Sequence, residues 1–235
     1  MDKKHTSHKI KKVIVVNRQR VDVWPSGQQV VPYPTPDTNI RIAPYVDVEA
    51  VNAALAGKML ELENNPRFTR EHQRGGCGNK IDHIHRWNIP EADLIHARAL
   101  TLFTRTLGCP QAVVDECWGN IYRAGDYCMP HSHVRSTASV VYMLDLGDAD
   151  PKHPIGGKLY FADPRLKVSC DVEPDRMTRL LIPDMKAGFM VIFPSAVVHG
   201  VNPYTGQRPR ITLSWNINPE AIPSRTPAGR ERRST

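Results

Sequence analysis

The feature that most limits how this chain can fold is the succession of short strand-like runs filling its second half. Glu116 to Tyr122, Thr137 to Leu144, Lys158 to Phe161, Thr178 to Ile182, Gly188 to Phe193 and Arg210 to Ile217 follow one another, broken by Gly, Pro and Asp. No helical stretch intervenes, so these runs predict an antiparallel sandwich or barrel. Two amphipathic helices precede them. Between Val46 and about Glu63, Val51, Ala54, Leu55, Met59 and Leu62 recur at helical spacing. From Pro90 to Leu107, Ile95, Ala99, Leu102, Phe103 and Leu107 form a second stripe. Pro90 suits a first turn, and Gly108 and Pro110 end the segment. Helices ahead of a run of strands predict a mainly β fold with helices buttressing one face of a jelly-roll. Residues 13–45 mix the runs Val13 to Val16 and Gln29 to Val31 with prolines, as edge strands and loops do. Gly75-Gly76-Cys77-Gly78 marks a loop.

At 235 residues the chain suits one domain with a substantial core. We divide it into a basic N-terminal tail (1–12), N-terminal strands and buttressing helices of the same domain (13–112), a β core (113–220) and a basic C-terminal tail (221–235). No apolar run is long enough to span a bilayer, so no membrane partner is expected. The polar start, Met1 to Lys12, lacks the apolar core of a secretory signal. Cys77, Cys109, Cys117, Cys128 and Cys170 are odd in number and form no CxxC pair. They read as reduced thiols of a cytoplasmic protein rather than a disulfide framework or zinc ribbon. The net charge of +7 resides largely in the tails, in Lys3, Lys4, Lys9, Lys11, Lys12, Arg225, Arg230, Arg232 and Arg233. Such tails are usually solvated, and without an aromatic-interleaved basic motif nucleic acid is not an expected partner.

Chemistry concentrates in three places. Pro130-His131-Ser132-His133 follows Gly125-Asp126-Tyr127; Phe193-Pro194-Ser195 leads to His199; and Arg208 to Asn216 closes the strand-rich half. His131 and His199 are 68 residues apart (199 − 131), and Arg210 follows His199 by 11 (210 − 199). Two neutral imidazoles and a third ligand can hold one face of Fe(II), leaving positions for a chelating co-substrate and O2. In an extended segment residues 131 and 133 point to one side, so both rings can face one ion. Arg210 and Thr212, also two apart, can together grip the far carboxylate of a bound dicarboxylate.

From Trp118 to Ile217 the chain resembles the 2-oxoglutarate/Fe(II) oxygenase superfamily, in its prolyl-hydroxylase-like branch and nearest to the putative 2OG-Fe(II) oxygenase group. The resemblance is carried by Trp118-Gly-Asn120-Ile-Tyr122-Arg-Ala-Gly125-Asp126, Pro130-His131-Ser-His133, Ser139-Val-Val-Tyr142-Met-Leu144, Gly157-Lys-Leu-Tyr160-Phe161-Ala-Asp163-Pro164-Arg165, Phe193-Pro194-Ser195 with His199, and Arg210-Ile-Thr212. It implies a double-stranded β-helix (jelly-roll, cupin-like) barrel. It also implies Fe(II), 2-oxoglutarate and O2 as cofactor and co-substrates, succinate and CO2 as products, and hydroxylation of a C–H bond in an amino acid, peptide or small molecule. By position His131 and His199 would bind iron and Arg210, helped by Thr212, the co-substrate carboxylate. Tyr122, Asn120 and Tyr142 would touch the co-substrate from neighbouring strands.

The superfamily usually writes His-x-Asp/Glu where this chain writes His131-x-His133. His133 completes a three-histidine face, or it stands behind the ligands with another anion in third place, or Asp126 or Asp163 supplies a carboxylate. The i, i+2 spacing favours the first. His83-Ile84-His85 has the same spacing without a distal partner and reads as structural or as lining the mouth. Asp163-Pro164-Arg165 reads as a turn, Cys128 as core packing near the iron, and Trp118 and Trp215 as barrel core. Two other classes compete with the oxygenase: a cupin-type three-histidine dioxygenase without 2-oxoglutarate, which has no need of Arg210, and a non-catalytic binding barrel, which would be indifferent to His131→Ala. A homodimer is left open.

Overall fold

A computed structural model describes residues 10–32, 39–70, 78–162 and 180–220. Most of both tails, Cys77, Cys170, Asp163-Pro164-Arg165 and the start of the run expected at Thr178 to Ile182 lie outside the described residues. The strands are β1 (Val13–Val16), β2 (Gln19–Asp22), β3 (Val31–Pro32), β4 (Arg41–Pro44), β5 (Thr69–Arg70), β6 (Asn79–Asp82), β7 (Val113–Tyr122), β8 (Cys128–His131), β9 (Ala138–Asp145), β10 (Leu159–Phe161), β11 (Phe189–Pro194), β12 (His199–Val201) and β13 (Arg210–Asn218). The helices are α1 (Glu49–Leu62) and α2 (Pro90–Leu107), with one 3-10 turn at Ile84–Arg86.

Period-two alternation decides what each sheet face carries. On β13, Ile211, Leu213, Trp215 and Ile217 enter the core cluster that also holds Leu55 and Met59 of α1 and Ile95, Leu102 and Phe103 of α2. The intervening Arg210, Thr212, Ser214 and Asn216 are equally buried but line a cavity on the other face. The large sheet has the antiparallel order β3-β4-β11-β9-β13-β7-β6-β5, and a small sheet has the order β10-β12-β8. A second apolar cluster lies between them, joining Tyr122, Met143, Val191 and Phe193 of the large sheet to Leu159, Phe161 and Val201 of the small one. Phe161 and Phe193 meet edge to face with ring centroids 4.9 Å apart. Fully burying side chains of this size contributes roughly 1.5–3 kcal/mol each. The expected mainly β, double-stranded β-helix architecture is therefore present. Its two sheets face each other as a sandwich, and the strand order closes no barrel among the described residues.

The helices cover the outer face of the large sheet. On α1 the buried positions are Val51, Asn52, Leu55, Met59 and Leu62. Ala54, expected in the stripe, is exposed. Asn52 is buried instead because its amide donates to the Leu144 carbonyl at 2.9 Å. α1 sits so close that a side chain on Gly119 of β7 would collide with Met59 and, 3.0 Å away, with the Trp87 ring. α2 is buried around most of its circumference, since it packs on the sheet and is also covered by β1. It begins with Pro90 and ends at left-handed Gly108 (φ 65°), whose N–H donates to the Thr104 carbonyl.

Candidate metal centre

Strand register builds the site. β12 and β8 pair so that His199 lies directly opposite His131. β8 ends at His131, and His133 reaches the same place by another route: its backbone N–H donates to the Ser195 carbonyl at 2.8 Å, in the turn after β11. The ring centroids of His131 and His199 are 4.4 Å apart, those of His131 and His133 4.9 Å, and those of His133 and His199 5.3 Å. One ring nitrogen from each lies within 4.8 Å of the others, and among the described residues no other group of three metal-ligating side chains comes together in this way.

The hydrogen bonds behind the rings set their tautomers. His131 Nδ1 is 2.8 Å from the Met129 carbonyl and His199 Nδ1 is 2.9 Å from the Val197 carbonyl. A carbonyl can only accept, so both Nδ1 atoms carry the proton and both Nε2 lone pairs are free for a metal. His133 is held differently. Its Nδ1 lies 3.2 Å from the side-chain amide nitrogen of Asn216, whose oxygen accepts from Ser139 Oγ at 2.9 Å; Ser139 Oγ in turn lies 2.9 Å from Ser195 Oγ. With the amide in this sense, Nδ1 accepts and the proton sits on Nε2. With the amide turned over, its oxygen accepts from Nδ1–H, its nitrogen donates to Ser139, and Nε2 is free. The two hydroxyls satisfy either sense, because each donates or accepts. Burial holds all three imidazoles neutral. It pushes His199 down to about 3 and His133 to about 4, with the neighbouring His131 ring adding to both, and it lowers His131 as well.

The large sheet supplies the floor. Register sets Arg210 opposite Tyr122, Thr212 opposite Asn120 and Ser214 opposite Trp118. Arg210 is 3% exposed, its guanidinium carbon stands 5.1 Å from the centre of the Tyr122 ring, and its Nη2 lies 3.9 Å from Met143 Sδ. Its Nη1 is buried with no hydrogen-bond partner among the described residues. An uncompensated buried guanidinium is costly, and an incoming anion relieves that cost. Asn120 is fully used within the floor: its oxygen accepts from the Trp118 indole at 3.0 Å and its nitrogen faces Ser214 Oγ at 3.2 Å and Thr212 Oγ1 at 3.4 Å. That leaves the Thr212 hydroxyl proton to donate elsewhere. At one side Lys80 of β6 lies 4.8 Å from the centre of the Trp118 ring. Histidines, floor and Lys80 line an open cleft of about 530 Å³, counted with the solvent at its mouth.

His131, His133, His199, Arg210, Thr212, Asn120 and Tyr122 thus line one cleft. Tyr142 does not, and its expected contact with the co-substrate is corrected here. It points to the helix side of β9, where its hydroxyl donates to Asn52 Oδ1 at 2.6 Å. Asp126 is likewise away from the histidines, its carboxylate accepting from the Arg123 backbone N–H at 2.7 Å; Asp163 is outside the described residues. His83 and His85 belong to the helix side, where His85 Nδ1 is 3.3 Å from Cys117 Sγ and its ring 5.8 Å from His96. Trp215 is core as expected, donating its indole N–H to His96 at 3.0 Å, whereas Trp118 lines the cleft. Sequence reasoning passed over Lys80, Ser139 and Asn216. Asn216 could have been found by extending the alternation 210, 212, 214 by one step.

A cluster of neutral histidines mounted between the sheets of a double-stranded β-helix, above a buried arginine, is a frame that could hold a metal ion beside an anion. Residues 116–216, the stretch running from β7 to β13, match the family described as Putative 2OG-Fe(II) oxygenase. No curated protein matches the chain. Solved structures share the fold at low identity. A Pseudomonas putida prolyl-4-hydroxylase has 18% identity and a TM-score of 0.55, covering 78% of this chain and 94% of its own. HygX from Streptomyces hygroscopicus, with nickel and 2-oxoglutarate bound, has 12% identity and a TM-score of 0.58, over 79% of this chain and 85% of its own. The epimerase SnoN from nogalamycin biosynthesis, in complex with Fe3+, alpha ketoglutarate and nogalamycin RO, has 13% identity and a TM-score of 0.57, over 77% and 79%. None of the described helices is long and apolar enough to cross a membrane.

Proposed function

We propose that the chain is an Fe(II)- and 2-oxoglutarate-dependent dioxygenase that hydroxylates a C–H bond of an amino acid, peptide or small-molecule substrate. The observation that carries this reading is the orphaned Nη1 of buried Arg210, on the same floor as the three-histidine cluster. Its nearest described company is a tyrosine face and a thioether, so a carboxylate is the partner its charge calls for. His131, His133 and His199 would hold the metal through Nε2, and the donor set fits a divalent ion because all three rings are neutral. Bound Fe(II) with 2-oxoglutarate and O2 supplies the oxidising chemistry, releasing succinate and CO2. The chain's own residues do the positioning. Arg210 offers its guanidinium and Thr212 its hydroxyl proton to the distal carboxylate. Tyr122 offers its ring face to the guanidinium, and the Met129 and Val197 carbonyls fix the orientation of two ligand rings. The free thiols of Cys109 and Cys117 agree with a reducing, cytoplasmic setting.

Anaerobically loaded with Fe(II) and then given O2 and 2-oxoglutarate, the purified protein should release succinate, and Arg210→Ala should abolish that release at the same co-substrate concentration. A second reading is favoured by one observation, that no carboxylate joins the cluster among the described residues. A three-histidine dioxygenase without 2-oxoglutarate would consume O2 with a thiol substrate and be indifferent to Arg210→Ala.

A further inference from the structure

The molecule contains a second buried arginine in the same predicament as Arg210, on the opposite side of the large sheet. Arg98 of α2 is 5% exposed, and its guanidinium carbon stands 4.3 Å from the centre of the Tyr45 ring. Its Nε reaches the Val23 carbonyl at 3.3 Å, and its Nη1 is buried with no partner among the described residues. The Tyr45 hydroxyl beside it is also buried and without a partner. No described carboxylate lies within ion-pair distance of Arg98. A second guanidinium, that of Arg105, stacks on Trp24 at 4.6 Å, and Trp24 meets Tyr45 edge to face at 6.4 Å. The result is an aromatic pair flanked by two cations. The two arginines stand back to back across β9: Arg210 touches Met143, and Arg98 lies within electrostatic reach of the adjacent Tyr142.

Arg98 and Tyr45 line a wide-open cavity between the β1–β2 hairpin and the end of β4, about 1340 Å³ counted with the solvent at its mouth. Its rim is apolar at Val21, Pro25, Val31, Pro44 and Val46, with Val31 49% and Val46 77% exposed. Arg20, Asp22 and Asp47 are its other charged members. A buried charge is retained where something compensates it, and two orphaned polar groups side by side under an apolar rim describe what that is. We propose that this cavity is a second binding site, taking a small carboxylate or phosphate ester with a short apolar body: the oxyanion on the Arg98 fork and the Tyr45 hydroxyl, the body against the rim valines and prolines. It stands independently of the proposed oxygenase activity.

The test follows side-chain Nε–H signals of 15N-arginine-labelled protein, together with the melting temperature, on titration with benzoate or phenyl phosphate, with benzyl alcohol as the uncharged control. Either anion should shift the Arg98 signal and raise the melting temperature by roughly 5–11 °C at a hundredfold excess over the dissociation constant. The shift should persist in Arg210→Ala, weaken roughly tenfold in Arg98→Lys, which keeps the charge without the fork, and vanish in Arg98→Met. A response to only one of the anions identifies carboxylate or phosphate as the ligand group. An Arg98 signal unmoved by both anions, or an equal rise in Arg98→Met, overturns the proposal. Should Arg98→Met fail to fold, the wild-type signal and Arg98→Lys decide the matter.

Discussion

Replacing Asn216 by alanine removes the side-chain amide behind His133 Nδ1 and leaves the carbonyls behind His131 and His199 intact. Two hydrogen bonds go, to His133 Nδ1 at 3.2 Å and from Ser139 Oγ at 2.9 Å, in a position 3% exposed. At about 1 kcal/mol each the fold loses about 2 kcal/mol, or roughly 4–8 °C of melting temperature in a chain of this size. Ser139 keeps Ser195 as a partner, so the loss should go little further. Metal affinity should fall more selectively, by about 10–100-fold, the usual cost of deleting a group that orients a ligand. The informative companion is Asn216→Asp. A carboxylate only accepts, so it forces the proton onto His133 Nδ1 and frees Nε2. If His133 is a ligand, Asn216→Asp retains or tightens metal binding while Asn216→Ala weakens it. Competition between the protein and a chromophoric chelator for Co(II) or Zn(II) reads both, and the Co(II) visible spectrum reports the ligand set. Loss of binding in Asn216→Asp comparable to that in Asn216→Ala would refute the argument, leaving His133 behind the ligands rather than among them.

Three further outcomes follow from the same geometry. Tyr142→Phe should cost about 1–2 kcal/mol, since it strands the buried Asn52 oxygen, and should leave 2-oxoglutarate affinity within about twofold; a large loss of affinity would return Tyr142 to the site. The metal-free protein should lose stability as pH falls from about 6.5 toward 4, because folded His133 and His199 stay neutral there, held down to about 4 and 3, while the unfolded histidines take up protons. A melting temperature that does not change between neutral pH and that range would contradict the burial of these rings. His131→Ala should weaken metal binding and leave Arg98-dependent anion binding unchanged, which titration of both ligands into the variant checks.

The core was legible because two signals agree along β13, apolar residues at odd positions and polar ones at even positions, and because the histidine and arginine spacings keep the superfamily order. α2 was read to its end residues, since Pro90 and Gly108 mark them chemically. What stayed hidden depends on partners remote in sequence. Tyr142 reads as a site residue by its neighbours, yet parity with Val140 and Leu144 sends it to the helices, where Asn52 waits 90 residues away. β8 and β12 are too short to show a period, so the direct pairing of His131 with His199 emerges only from register. Arg98 looks like an ordinary helix arginine until α2 is seen to be covered on both sides.

The most direct test of the central claim is optical. Under anaerobic conditions, Fe(II) and then 2-oxoglutarate are added to wild type and to Arg210→Ala, and the weak visible charge-transfer band of a chelated 2-oxo acid is followed. The account predicts a saturable band in wild type that is lost, or displaced to much higher 2-oxoglutarate concentration, in Arg210→Ala. Tight iron binding with no band in wild type, or a band indifferent to Arg210, would contradict it.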